Sequence, residues 1–212
     1  MTVFYLLRHG QSEANVKRIF TGQLDRYGLS PLGRRQAERA ADYLADRGID
    51  RIYSSDLLRA RQTAEYVGRR LGLPVELCTG LREIFAGAWE GQTYETLAER
   101  YPEQYAAWRA GTDCHPNGGE CAEEVGARML ETVTVLCRAN PDRTLLLSAH
   151  AMVIRCFECV ARFGSVSALP DVPFVKNASL SRYVWDGGGF TLLERDICSY
   201  LEGMVTELPK SV

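Results

Sequence analysis

The sequence predicts an α/β fold, a three-layer α/β/α sandwich with a mostly parallel central sheet, an inserted helical cover and a C-terminal β-hairpin. Short apolar runs alternate with amphipathic helical stretches through the first 77 residues, as in parallel strands joined by right-handed crossovers. The alternation stops near residue 78 and resumes with a strongly apolar run near residue 144. Two further apolar stretches flank Gly187-Gly188-Gly189, which indicates the hairpin.

The composition fits one packed domain over residues 1–212, with residues 78–119 as a cover insertion. Hydrophobic residues make up 46% of the chain and charged residues 25%. The net charge of −2 offers no bulk attraction to nucleic acid or to a membrane surface. We expect neither partner, and either a monomer or a homodimer. An odd number of scattered cysteines and the absence of a signal-peptide pattern favour a cytoplasmic location with free thiols.

The first strand is the apolar run at residues 3–7, which is unbroken, as expected when both faces of a strand are buried. It leads directly into Arg8 and His9. After a long polar loop, a helix is expected to begin with Ser30 as its N-cap, followed by a proline in the first turn. Gly48 is the expected C-cap of this helix.

The second and third strands are expected at residues 49–54 and 74–77. The helix between them carries apolar residues at helical spacing. Ser55 and Asp56 are its expected caps, and Gly72 is its expected end.

The cover at residues 78–119 is expected to lie over the edge of the sheet. One or two short helices are predicted within residues 94–110, and a long amphipathic helix follows at 120–139. A strand at 144–150 and a helix at 152–162 then restore the α/β pattern.

Two of the three histidines end apolar strand runs. His9 and His150 are therefore expected at the same edge of a parallel sheet, where open α/β sheets bind ligands. Arg8 precedes His9, and Arg59 lies in the first turn of a helix whose N–H groups are free to bind an anion. Each residue alone is more simply a solvated arginine or a core histidine. Together they predict an anion site.

Two guanidinium groups and two imidazoles suit the chemistry of a phosphoryl group. Guanidinium forks match several phosphoryl oxygens, and a neutral imidazole can attack phosphorus. A second imidazole can donate to a phosphoryl oxygen as charge builds. The leaving alkoxide needs an acid, for which Glu83 and Glu90 in the cover are candidates. Partial burial there is expected to favour the protonated carboxyl.

Four blocks of the chain resemble the histidine phosphatase superfamily, in the branch that includes cofactor-dependent phosphoglycerate mutases. In family order they are LRHGQSE at 7–13 with TGQLD at 21–25, YSSDLLRARQTA at 53–64, LREIFAGAWEG at 81–91, and SAHAMVIR at 148–155.

This resemblance implies a role for each site residue. His9 would be the phosphorylated residue, Glu83 the proton donor and Glu90 a structural residue. The residues that would bind the phosphoryl group are Arg8, Arg59 and His150. The residues that would line its pocket are Asn15, Gly22 and Asn177.

Departures from the family pattern concern the substrate more than the reaction. Ala151 and Met152 stand where the family usually has Gly-Gly, and their extra bulk is expected to narrow the pocket. Cys121 stands where serine is common. A zinc site built from Cys156 and Cys159 is disfavoured, because the chain has no second Cys-x-x-Cys pair.

The sequence favours a phosphatase over a mutase, because residues 84–119 hold two arginines and no lysine for a second anionic group. A non-catalytic phospho-ligand sensor or scaffold is the third alternative, but a sensor needs no nucleophile paired with an acid. We therefore expect a metal-independent histidine phosphatase that needs no cofactor and acts on a small-molecule phosphate ester.

Overall fold

The computed structural model of the protein describes residues 1–112 and 115–206 and has the expected α/β/α architecture. One sheet has the strand order β3-β2-β4-β1-β5-β6. Its strands are β1 (Thr2–Arg8), β2 (Arg51–Ser54), β3 (Val75–Leu77), β4 (Thr144–Ala149), β5 (Leu180–Trp185) and β6 (Phe190–Ile197). Strands β1 to β4 are parallel, and β5 is antiparallel to both β1 and β6. The mostly parallel sheet and the C-terminal hairpin are thereby confirmed.

Helices cover both faces of this sheet. They are α1 (Glu13–Val16), α2 (Pro31–Leu44), α3 (Leu58–Leu71), α4 (Tyr94–Arg100), α5 (Pro102–Ala110), α6 (Ala122–Ala139) and α7 (Ala151–Phe163). Helices α2 and α3 pack on one face, and α6 and α7 pack on the other. Of the helices described, none is both long enough and apolar enough to cross a membrane.

Strand β1 is buried on both faces, as its apolar run predicts. Its alternate side chains enter two separate apolar clusters, Phe4 and Leu6 on the α6/α7 side and Tyr5 and Leu7 on the α2/α3 side. In the parallel pairing of β1 with β4, Arg8 lies opposite Ala149. The residues that follow, His9 and His150, therefore emerge side by side at one edge of the sheet.

The predicted start of α3 is wrong, because the expected caps have other partners. The N-cap is Leu57, which makes no side-chain capping bond. The Ser55 hydroxyl lies 2.8 Å from Nε2 of His150, and the Asp56 carboxylate binds Arg82. The free N–H of Leu58 donates instead to the Asp25 carboxylate, in the loop before α2.

The predicted end of α2 is also too late. The helix ends at Leu44, where two i→i−3 bonds tighten the chain, from Ala45 N–H to the Asp42 carbonyl and from Arg47 N–H to the Leu44 carbonyl. Gly48, with φ of +67°, ends the turn after the helix rather than the helix itself.

The cover packs on the same core as the sheet. Trp89 is buried and meets Phe20, Tyr105 and Trp108 edge to face. These rings belong to one apolar cluster with the side chains of α6 and α7. The division of the chain into one domain with a cover at residues 78–119 stays a prediction.

A first prediction concerns Gly33 in the first turn of α2. A Cβ there would lie 1.9 Å from the carbonyl oxygen of Gln11, in the loop that follows His9. We expect Gly33→Ala to lower the free energy of unfolding by about 1–3 kcal/mol in urea titrations, although alanine is normally the better helix residue. Gly189→Ala is the control, because a Cβ there meets nothing within 4 Å. Equal stability of Gly33→Ala and the unmodified protein would contradict this close approach.

Candidate active site

One cavity of about 390 Å³ opens at the edge of the sheet where β1 and β4 end. Its wall includes most of the site residues expected from the sequence: Arg8, His9, Asn15, Gly22, Arg59 and Glu83. His150 stands directly beside His9, with 5.2 Å between the ring centroids. The structure thus brings predicted site residues together from four separate parts of the chain, around residues 8–22, Arg59, Glu83 and His150.

His9 is held as a neutral imidazole with one ring nitrogen free. Its Nδ1 lies 2.7 Å from the carbonyl oxygen of Gly10. Because a carbonyl oxygen only accepts, Nδ1 carries the proton and Nε2 keeps its lone pair. Burial lowers the pKa of His9 well below its usual range, and the charges of Arg59 and Arg8 lower this pKa further. This tautomer and charge state are those of a nucleophile.

Arg8 and Arg59 are buried cations that are fixed by backbone carbonyls. Arg8 Nη1 donates to the Val175 carbonyl at 2.5 Å, and Arg59 Nη2 donates to the Gly22 carbonyl at 2.8 Å. The Nε of each has no hydrogen-bond partner in the part of the chain that the structure describes. Burial lowers the pKa of Arg59 to about 10, which leaves it charged at neutral pH. Both residues line the cavity, so the pair presents positive charge to an anion bound there.

His150 is the N-cap of α7 and is fully buried. Its Nε2 lies 2.8 Å from the Ser55 hydroxyl, and its Nδ1 has no partner among the described side chains and backbone. Burial lowers the pKa of His150 well below its usual range, with Arg59 the next cause. Ser55 is a site residue that sequence reasoning assigned to helix capping. Its place directly after β2, at the same edge as His9, is the signal that could have identified it.

Glu83 lies at the N-terminus of α7. One carboxylate oxygen accepts the N–H groups of Ile84 and Val153, both at 3.0 Å, and the other accepts that of Met152 at 3.1 Å. These three hydrogen bonds, two of them from the first turn of α7, fix the direction of the Glu83 side chain.

Ala151 and Met152, the two residues expected to narrow the pocket, both line the cavity. Met152 is also buried in the core, and its N–H is one of the donors to Glu83.

Asn177 lies behind the site rather than on its wall. Its side-chain N–H group donates to the His9 carbonyl at 3.1 Å and to the side-chain oxygen of Asn15 at 3.3 Å. Asn15 itself lines the cavity. This position therefore does not favour direct contact between Asn177 and a substrate. The Asn177 side chain instead orients His9 and Asn15.

Gly22, whose carbonyl oxygen accepts a hydrogen bond from Arg59, lies close to the Glu90 carboxylate. Gly22 has φ of +48°, and a Cβ there would lie 2.2 Å from a carboxylate oxygen of Glu90. That oxygen accepts the N–H groups of Gln23 at 2.7 Å and Ala86 at 3.1 Å. Glu90 therefore joins two loops, which is the structural role expected for it.

Aromatic and charged side chains complete the lining of the cavity. Tyr94, Tyr105 and Trp108 of the cover line the cavity. Arg109, Lys176 and Arg195 line it as well. Lys176 binds the Asp196 carboxylate at 2.5 Å, and Arg195 binds that of Glu158 at 2.9 Å. Lys176 precedes β5 and Arg195 lies within β6. The sequence analysis identified neither residue.

The cysteines are scattered in the structure too. Cys156 and Cys159 are buried in α7, and Cys121 is the N-cap of α6. Cys114 falls outside the described residues. Within residues 1–112 and 115–206, no group of three or more His, Cys, Asp or Glu side chains is placed to hold a metal ion. His115 is exposed and does not line the cavity.

Comparisons with known proteins agree with this geometry. The family model described as histidine phosphatase superfamily (branch 1) matches residues 4–197. The glucosyl-3-phosphoglycerate phosphatase of Mycobacterium tuberculosis is 38% identical over 182 residues, 82% of this chain and 81% of that protein. A broad-specificity phosphatase of Saccharomyces cerevisiae is 31% identical, covering 88% of this chain and 81% of its own. A mycobacterial glucosyl-3-phosphoglycerate phosphatase complexed with VO3 has a TM-score of 0.85 at 36% identity, covering 91% of this chain and 97% of that one.

The buried neutral histidines predict a loss of stability in mild acid. The folded protein binds fewer protons than the unfolded chain once the pH falls below the unfolded histidine pKa of about 6.5. The free energy of unfolding should therefore decrease as the pH is lowered below that value, by up to about 1.4 kcal/mol per pH unit for each histidine.

Urea titrations between mildly acidic and neutral pH, in phosphate-free buffer, measure this slope. We expect His9→Asn to make it shallower, and His115→Asn, at an exposed position, to leave it unchanged. A slope that His9→Asn does not alter would contradict burial of His9 in its neutral form.

Proposed function

The chain belongs to the histidine phosphatase superfamily (branch 1), and on that basis we propose that it hydrolyses phosphate monoesters through a phosphohistidine at His9. Hydrolysis of a small phosphorylated metabolite accords with the family and with its phosphatase relatives. One observation carries the proposal for His9. Its neutral imidazole, with Nε2 unprotonated, lines the cavity together with two buried arginines, Arg8 and Arg59, whose charges act on it.

Binding would place the phosphoryl group between the arginines. The guanidinium groups of Arg8 and Arg59, which line the cavity, would bind its oxygens, and their buried charges would offset its negative charge. His150 would add a donor, because its Nδ1 can carry a proton while Nε2 accepts from the Ser55 hydroxyl.

In the first chemical step, Nε2 of His9 would attack phosphorus and the P–O bond to the leaving group would break. Glu83 would give its proton to the leaving oxygen, so that an alcohol departs. The approach of the negative phosphate to Glu83 favours prior protonation of this carboxyl, because like charges disfavour the ionised form. In the second step, the Glu83 carboxylate would accept a proton from water as water attacks the phosphohistidine. Inorganic phosphate and neutral His9 result.

The electrostatic cradle should supply most of the rate enhancement. Hydrolysis of phosphate monoesters requires an acceleration of up to ~10²¹-fold. General acid catalysis supplies only ~10²–10⁴ of that factor. The arginines and His150 must therefore stabilise the charge that develops on the phosphoryl oxygens.

The cavity also supports a proposal about the substrate. Its volume of about 390 Å³ leaves room for a leaving group as large as a sugar. Three basic side chains, Arg109, Lys176 and Arg195, line the cavity beside one acidic side chain, Asp196, and this excess of positive charge suits a leaving group that carries a carboxylate. The glucosyl-3-phosphoglycerate phosphatases among the relatives are named for such an ester. We propose a carboxylate-bearing phosphate monoester of this kind.

Two substitutions test the proposed chemistry. We expect His9→Ala to abolish phosphate release and the acid-labile phosphoenzyme that a quench with labelled substrate traps. Glu83→Gln should reduce turnover of alkyl phosphates by about 10²–10⁴-fold but spare activated aryl phosphates, whose leaving groups need no proton. Glu99→Gln, at an exposed position of α4, is the control. An equal loss on both substrates would refute the acid role of Glu83.

The two arginines of the cover provide a matched test of the substrate class. Arg109 lines the cavity, whereas Arg100 is exposed and binds the side chain of Gln92. Arg109→Gln should lower kcat/KM for phosphoglycerate-type esters by about 10–100-fold, the loss of one charge-assisted contact. Its effect on glycerol phosphate should be small, and Arg100→Gln should change neither.

Assays of the same esters with EDTA present distinguish a phosphatase from a mutase. A phosphatase releases inorganic phosphate, whereas a mutase forms isomerised phosphoglycerate. Equal effects of Arg109→Gln on charged and uncharged esters would refute the carboxylate-bearing substrate.

A further inference from the structure

The segment that carries Glu83 has little regular structure of its own. A single 3₁₀ turn spans Thr79–Leu81, and the chain from 82 to 86 forms neither helix nor strand. A proton donor must nevertheless stand within hydrogen-bond reach of the leaving oxygen. The position of this segment therefore has to be fixed by other elements.

Arg128 of α6 binds the backbone of this segment on the N-terminal side of Glu83. Its Nη1 donates to the carbonyl oxygens of Gly80 at 2.9 Å and Arg82 at 3.0 Å. Its Nη2 lies 3.5 Å from the carbonyl oxygen of Glu83 itself. One guanidinium group thus contacts the backbone from Gly80 to Glu83, although Arg128 does not line the cavity.

Glu120 fixes Arg128 and binds the segment on the other side of Glu83. Its carboxylate accepts from Arg128 Nε at 3.0 Å and Nη2 at 2.9 Å, a bidentate pairing. The same carboxylate accepts the N–H of Phe85 at 2.8 Å, and the Glu120 N–H donates to the Phe85 carbonyl at 2.8 Å. The two residues together hold the chain immediately before and after Glu83.

Close packing reinforces this connection. A Cβ on Gly80 would lie 2.1 Å from the hydroxyl of Thr132, one turn along α6 from Arg128. That hydroxyl donates to the Arg128 carbonyl at 2.8 Å. Helix α6 and the segment therefore meet without an intervening layer of side chains, so a shift of one displaces the other.

We propose that Arg128, oriented by Glu120, is a positioning residue that sets the distance from the Glu83 carboxyl to the leaving oxygen. This inference rests on the acid role proposed for Glu83. A purely structural role for Arg128 would lower stability or the amount of folded enzyme and would reduce turnover of every ester alike. A positioning role reduces turnover most where the leaving group needs a proton.

The dependence on the leaving group therefore distinguishes the two roles. We expect Arg128→Gln to reduce kcat for alkyl phosphates by about 10–100-fold, because a misplacement of about 1 Å is costly in catalysis. Its effect on activated aryl phosphates and on KM should be several-fold smaller. Arg138→Gln, at an exposed position of the same helix, should change neither. Arg128→Lys keeps the positive charge but cannot form the bidentate pairing with Glu120. It replaces Arg128→Gln in the experiment if that variant does not fold.

A double variant completes the experiment. If Arg128 acts through Glu83, then Arg128→Gln should cost little further in the Glu83→Gln background. Equal losses on alkyl and aryl esters, or full additivity of the two substitutions, would overturn the inference and leave the acid role intact. If Glu83→Gln alone shows no dependence on the leaving group, the acid role and the inference fail together.

Discussion

The burial of two guanidinium groups around a neutral histidine is the constraint on which the site depends. Removing a charge from water is costly unless hydrogen bonds and an opposite charge compensate. Backbone carbonyls of Val175 and Gly22 supply part of this compensation and fix the direction of each arginine. A bound phosphoryl group would supply the rest. The same positive charges disfavour protonation of His9, so one arrangement explains both anion binding and nucleophilicity.

Regular structure and loop contacts position different parts of this site. The residues around the phosphoryl group follow from the parallel register of β1 with β4 and from the start of α3. The proposed acid instead lies on an irregular segment of the cover. It depends on the N-terminus of α7 for its side chain and on Arg128 and Glu120 for its backbone. The nucleophile therefore directly follows a strand of the sheet, whereas the acid is held by contacts from α6, α7 and the loops that carry Gln23 and Asp56.

This division explains what the sequence could reveal. The apolar runs before His9 and His150 predict buried strands, and parallel pairing alone brings their ends together. Arg59 follows from the helix after β2 by the same reasoning. Ser55 and Arg128 were missed because their roles depend on contacts with residues more than 40 positions away in the chain. The capping expectation for Ser55 failed because the hydroxyl is close to His150, a tertiary contact that outweighs local preference.

The stereochemical course at phosphorus tests the central claim most directly. A thiophosphate monoester made chiral with oxygen isotopes can be hydrolysed by the enzyme in isotopically labelled water, and the configuration of the released thiophosphate determined. Attack by His9 followed by attack of water comprises two in-line displacements, each of which inverts the configuration. The account predicts net retention. Net inversion would show that water attacks the ester directly, and would contradict a phosphohistidine intermediate.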